Sequence, residues 1–236
     1  MKKATAVIKA PVSEIFFSHQ GEGVFVGEPQ VFVRFVGCNL RCDYCDTADN
    51  QVITEHQKYY SVDDILGRVK KLSGGKPCTV SLTGGEPLLY AGFLARLLPA
   101  LKKLKYKTYL ETNGTLPELY REVARWVDVV SMDMKVASAC RASYWAEHRA
   151  FLSAAGKKAF VKLVITAATT PEEAARAGAV THAASPAIPL VLQIASTVKK
   201  CAAPAPAKIF QLTQAARKKH PHTFACPQMH TIWDVR

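Results

Sequence analysis

Cys38, Cys42 and Cys45 are spaced Cys-x3-Cys-x2-Cys within GCNLRCDYCDT. Three thiolates on one short loop can hold three irons of a four-iron, four-sulfur cluster, which ordinarily takes four protein thiolates. The remaining iron is then open to a small molecule. Tetrahedral zinc would need a fourth ligand, for which Asp43, Asp46 and His56 are the nearest candidates. A disulfide pairing fits poorly with an odd local count in a chain that reads as intracellular. Purely structural thiols would lie in apolar runs, whereas these alternate with Asn39, Arg41, Asp43 and Asp46.

A second group of residues suits a ligand carrying an ammonium group. In Thr83-Gly84-Gly85-Glu86-Pro87 the glycines let backbone approach a ligand closely, and Glu86 supplies a negative acceptor. Ser131, Asp133 and Lys135 alternate, so all three can point to one side of a strand end. Gln193 and Ser196 close a later apolar run. Thr112 and Asn113 are either ligand contacts or turn formers, since Asn-Gly is a strong turn signal. Tyr44, between two of the cysteines, can pack on a ligand ring or on a cluster.

These groups need a scaffold that gathers them. Strands are expected at 31–36, 79–82, 107–111, 127–133, 159–166 and 190–196. Helices are expected at 61–72, 91–104, 117–124, 142–155, 171–184 and 204–219. Ser61 ahead of Asp64, and Thr170 ahead of Pro171, mark two helix starts. Strand then helix, repeated, implies parallel strands with right-handed crossovers. The expected fold class is therefore α/β, an incomplete β/α barrel of about six parallel strands. Its functional loops lie at the carboxyl ends of the strands, and each motif above follows an expected strand.

The 236 residues are 49% hydrophobic, enough for one domain with a sizeable core. No apolar run is long enough for a membrane helix, and Lys9, Pro11 and Glu14 interrupt the basic N-terminal stretch. A cytoplasmic location is expected. The net charge of +12 raises the question of nucleic acid. The lysines are spread, however, over 102–107, Lys199–Lys200 and 217–219, without an RNA-binding motif. They read as a solvated surface that attracts anions. Cys78, Cys140, Cys201 and Cys226 read as ordinary thiols.

The cysteine spacing with GGEP resembles the radical S-adenosylmethionine (SAM) enzymes. Ser18-His19-Gln20-Gly21-Glu22-Gly23, Phe32-Val33-Arg34-Phe35 and Pro227-Gln228-Met229-His230 sharpen the resemblance to the 7-carboxy-7-deazaguanine synthase family. The resemblance spans nearly the whole chain. It implies one radical SAM domain over 1–236, with an N-terminal substrate-binding segment and a C-terminal closing segment. It implies conversion of 6-carboxy-5,6,7,8-tetrahydropterin to 7-carboxy-7-deazaguanine, by radical ring contraction with loss of ammonia.

The implied cofactors are a [4Fe-4S] cluster on Cys38, Cys42 and Cys45, SAM, and a magnesium ion at Thr47. SAM contacts would come from Tyr44, Gly84, Gly85, Glu86, Ser131, Asp133, Lys135, Gln193 and Ser196. Substrate contacts would come from His19, Gln20, Gly21, Glu22, Arg34, Thr83 and His230. No catalytic side chain beyond the cluster and the SAM radical is implied. The implied partners are a flavodoxin- or ferredoxin-like one-electron reductant and a second copy of the chain, with no membrane or nucleic acid. The chain departs from the family pattern in Val136-Ala137-Ser138 after Lys135. Two alternatives stay open here: an activating enzyme for a glycyl-radical protein, and a non-enzymatic iron–sulfur carrier.

Overall fold

The computed structural model describes residues 7–45, 47–197 and 201–235. The N-terminal lysines, Asp46 and the Lys199–Lys200 pair lie outside the described residues. The strands are β1 (Lys9–His19), β2 (Pro29–Phe35), β3 (Tyr59–Ser61), β4 (Thr79–Gly84), β5 (Lys107–Thr112), β6 (Val129–Asp133), β7 (Ala159–Ile165), β8 (Leu190–Ile194) and β9 (Thr223–Pro227). The helices are α1 (Val62–Leu72), α2 (Ala91–Lys103), α3 (Pro117–Val123), α4 (Ala137–Cys140), α5 (Trp145–Ala155), α6 (Pro171–Ala184), α7 (Pro206–Arg217) and α8 (Met229–Trp233).

The strands all belong to one open sheet of order β3-β1-β2-β4-β5-β6-β7-β8-β9. From β2 to β9 every neighbouring pair is parallel, and β1 pairs antiparallel with both β2 and β3. The six expected strands are present and form the middle of the sheet. β1 and β3 on one side and β9 on the other extend it beyond the expected count. β1 escaped notice because Pro11, Ser13 and Glu14 break its alternation, and the register shifts between Val12 and Glu14. β9 is five residues long and ends on a proline.

Local chemistry explains the helix starts. Ser61 and Asp64 form a reciprocal capping box on α1, and Thr170 with Glu173 does the same on α6, where Pro171 takes the first turn. The strands obey a strict period of two. Val31, Val33, Phe35, Val80, Leu82, Leu110, Val130, Met132, Val161, Leu163, Ile165, Leu190 and Leu192 pack into one core with the helices. Their alternates face the other way. At one level these build a smaller cluster of Tyr109, Val129, Phe160 and Val191, with Phe25 against it. At the next level they are polar.

Candidate active site

Parallel register sets those polar alternates side by side. Arg34 pairs with Thr83, Glu111 with Ser131, and Asp133 with Lys162, while Gln193 lies beside the apolar Val164. A cavity of about 440 Å³ opens on this face, within the range of small-molecule sites. Its wall takes His19 from the end of β1, Gln20, Gly21 and Glu22 from the β1–β2 connection, Arg34 and Thr83 from strands, and His230 from α8. Cys38, Cys42, Tyr44, Cys45 and Thr47 line it from the loop after β2. Gly84, Gly85, Ser131, Asp133 and Lys135 line it from the ends of β4 and β6. Glu86, Gln193 and Ser196 are not part of that lining.

Each of these three has structural partners. Glu86 Oε1 accepts from Leu88 N at 3.0 Å and Thr112 Oγ1 at 2.9 Å, and its Oε2 accepts from Asn113 N at 2.8 Å. Burial raises this carboxyl to about 7, although those three donors pull the other way. Gln193 Oε1 accepts from Gly23 N at 3.1 Å, and its Nε2 donates to Cys226 O at 2.9 Å. Ser196 N donates to Gln228 Oε1 at 2.9 Å. Gln193 and Ser196 thus stitch the terminal segments to the sheet.

Lys135 Nζ donates to Tyr44 Oη at 2.7 Å and to Asp133 Oδ2 at 2.9 Å. Burial would lower this lysine, but Asp133 and Tyr44 hold it charged, well above its ordinary range. Asp133 Oδ1 is buried without a hydrogen-bond partner among the described residues. A buried carboxylate oxygen in that state, on a cavity wall, suits a ligand donor such as a hydroxyl. His148 bridges the two neighbouring loops through Nε2, 3.1 Å from Asn113 O and 3.4 Å from Lys135 N. Burial lowers its imidazole to about 4, so it is neutral.

The cysteine loop is held by Asp43 N donating to Ala139 O at 3.0 Å and Gly37 N donating to Asn50 O at 2.7 Å. Cys42 Sγ lies 3.1 Å from Cys140 Sγ. That contact, against the opposing effect of burial, lowers Cys42 to about 7, whereas burial raises Cys38. No three His, Cys, Asp or Glu side chains among the described residues converge to hold a single ion. A four-iron cluster spreads its ligands further apart than one ion does. Three thiols lining one cavity, with the backbone of Gly84 and Gly85 in the same wall, fit that larger group.

Arg34 Nε donates to Glu14 Oε1 at 2.8 Å, and its guanidinium lies over Phe16. Arg34 also lines the cavity, beside Thr83 of the neighbouring strand. Gln20 Nε2 donates to Glu111 Oε1 at 2.8 Å, and Thr83 Oγ1 donates to Glu111 Oε2 at 2.7 Å. Glu22 pairs with Lys162 and accepts from Gln228 Nε2 at 2.7 Å. Burial works against that charge, yet Lys162 and Gln228 bring Glu22 down to about 2.

Residues 32–167 match the model of the radical SAM superfamily. The 7-carboxy-7-deazaguanine synthase of Geobacter sulfurreducens is 34% identical, over 94% of this chain and 96% of its own. The enzyme of that name from Thermococcus kodakarensis is 35% identical, over 68% of this chain and 75% of its own. The chain belongs to the 7-carboxy-7-deazaguanine synthase family. In fold, it superposes on the crystal structure of QueE from Escherichia coli with a TM-score of 0.67, at 20% identity, covering 94% of this chain and 95% of that one.

Membership of this radical SAM family makes the protein an enzyme of deazapurine biosynthesis and calls for a four-iron cluster and SAM. The activating-enzyme and electron-carrier alternatives are not favoured by relatives of that name. No helix among the described residues is long and apolar enough to cross a membrane. Sequence reasoning singled out neither Glu111 nor Lys162, and it quoted Gln228 only inside a motif. The signal was present: a charged residue at an inward position of an apolar strand, as in Phe160-Val161-Lys162-Leu163-Val164.

Proposed function

We propose that the enzyme converts 6-carboxy-5,6,7,8-tetrahydropterin to 7-carboxy-7-deazaguanine with loss of ammonia. The observation that carries this reading is the joining of two ligand sets in one cavity. The three cysteines, Gly84, Gly85, Asp133 and Lys135 line it, and so do Gln20, Gly21, Glu22, Arg34, Thr83 and His230. When bound, the cluster and SAM supply a hydrogen-abstracting radical for the chemical step.

The chain's own residues bind, orient and exclude water. Arg34 grips the substrate carboxylate, for which its planar fork is suited. Gln20, Gly21 and Thr83 meet the edge of the bicyclic ring, with Glu22 and His19 at its margin and His230 closing over it. Ser131 and Asp133 take the ribose of SAM, and Lys135 its carboxylate. Tyr44 would pack on the adenine, and Gln193 and Ser196 would serve SAM indirectly, through the segments they tie to the sheet. Gly84 and Gly85 offer backbone to the methionine portion, whose ammonium Glu86 balances.

Thr47, which lines the cavity, would offer its hydroxyl to a magnesium ion, which would supply positive charge beside the substrate. The whole of 1–236 acts as one radical SAM domain, read by its N-terminal segment and closed by its C-terminal one. It works in the cytoplasm as a homodimer, fed by a flavodoxin- or ferredoxin-like donor. The net charge of +12 suits an acidic donor of that kind.

The test compares the carboxylated tetrahydropterin with its carboxylate-free analogue, in the natural enzyme and in Arg34→Ala. The natural enzyme should favour the carboxylated substrate in kcat/KM by about thirtyfold or more, from a lost charge-assisted pair worth about 2–5 kcal/mol. Arg34→Ala should lose that preference while keeping its cluster. Equal handling of both compounds by the natural enzyme would refute the substrate assignment.

A further inference from the structure

Lys162 stands at the centre of β7, 5% exposed, with its ammonium on Glu22. Glu22 belongs to a different part of the chain, the connection between β1 and β2. Its second oxygen is taken by Gln228, just ahead of α8. Around that carboxylate the two terminal segments are joined further. Met229 N donates to Gly21 O at 2.9 Å, and Gln193 bridges Gly23 N to Cys226 O. A buried ion pair yields little net stability, because desolvation cancels most of the Coulomb gain. What it does yield is geometry.

We propose that Lys162 is a positioning residue for the substrate: by holding Glu22, it fixes the Gln20–Gly23 loop and the Pro227–His230 segment as one wall of the cavity. This rests on the reading of that cavity as the pterin site. Without the ammonium, Glu22 becomes an unpaired acid in a low-dielectric wall. It then takes up a proton or turns out to water, and the wall loses its register. SAM binding, served mainly by the cysteine loop and the ends of β4 and β6, changes far less.

Hydrogen–deuterium exchange on the cluster-loaded full chain tests this with Lys162→Met. Peptides covering 20–28 and 226–231 should exchange about tenfold faster or more, while β4 and α1 stay unchanged. KM for the carboxytetrahydropterin should rise about thirtyfold or more, with the Kd for SAM within about twofold. The kcat/KM profile of the variant should gain a titration absent from the natural enzyme. Unchanged exchange in both segments would overturn the proposal.

If Lys162→Met alone fails to fold, the charge-balanced double variant Glu22→Gln with Lys162→Met carries the test. It should fold and still show fast exchange, the deciding readout here because Glu22 also meets the substrate. Natural exchange in the double variant would show that only the unpaired charge mattered, which also overturns the proposal. A natural enzyme that makes no deazaguanine would refute the substrate reading, and the exchange result would still decide on Lys162.

Discussion

Gly85 is where the TGGEP turn and the cysteine loop touch. A Cβ built on Gly85 falls 2.0 Å from Gly37 O, a backbone atom, and 2.9 Å from Asn50 O. Real Cβ contacts stay beyond about 3.0 Å, so Gly85→Ala must drive the two loops apart by at least about 1 Å. Backbone cannot swing aside as a side chain does. The bonds from Gly85 N to Phe35 O at 3.0 Å, and from Glu86 N to Gly37 O at 2.8 Å, must stretch. Each is worth about 1 kcal/mol.

Gly37 immediately precedes Cys38, so the shift is delivered to the first cluster ligand. A displacement of about 1 Å at a reacting centre costs about 100-fold in rate. The assay is anaerobic formation of 5′-deoxyadenosine at saturating reductant, with iron content and the Kd for SAM measured alongside. The variant should fold with a lower melting temperature, bind SAM more weakly and form 5′-deoxyadenosine about 100-fold more slowly. Natural rate and affinity in Gly85→Ala would refute the claim that this contact sets the site's geometry.

Glu86 gives a pH signature. Its buried carboxyl stays protonated up to about 7, against an ordinary 4.5. The folded state therefore binds the extra proton, and the protein loses stability as the pH rises between those values, by about 3 kcal/mol. Glu86→Gln should abolish that slope in urea unfolding of the cluster-free chain; an unaltered slope would contradict the assignment. In the loaded enzyme, SAM affinity should strengthen as the pH rises through about 7 and become flat in Glu86→Gln, as equilibrium binding would show. Cys42→Ala should lower iron content after reconstitution and abolish SAM cleavage. Retained cleavage with full iron would remove Cys42 from the cluster.

The middle of the fold was legible because each parallel strand announces itself as an apolar run followed by a polar loop. Val31–Phe35 before the cysteines and Thr79–Leu82 before Gly84 are two such cases. The helix starts were legible through Ser61 and Thr170. β1 and β9 were not, because their evidence is pairing with β2 and β8 rather than local pattern. The cavity's polar partners divide the same way. Cys38, Cys42, Cys45 and the Gly84–Glu86 turn carry their meaning in local spacing. The union of Glu22, Lys162 and Gln228 joins three distant segments, and only the sheet register brings them together. The roles of Gln193 and Ser196 as stitches were hidden for the same reason.

The central claim is that one cavity serves SAM chemistry and a carboxylated tetrahydropterin together. The direct measurement reconstitutes the cluster anaerobically. SAM, a one-electron reductant, magnesium and 6-carboxytetrahydropterin are added, and the products are followed by mass spectrometry. The account predicts 7-carboxy-7-deazaguanine in amounts exceeding the enzyme. Formation of 5′-deoxyadenosine without any deazaguanine would contradict it, leaving SAM cleavage in place and the substrate elsewhere.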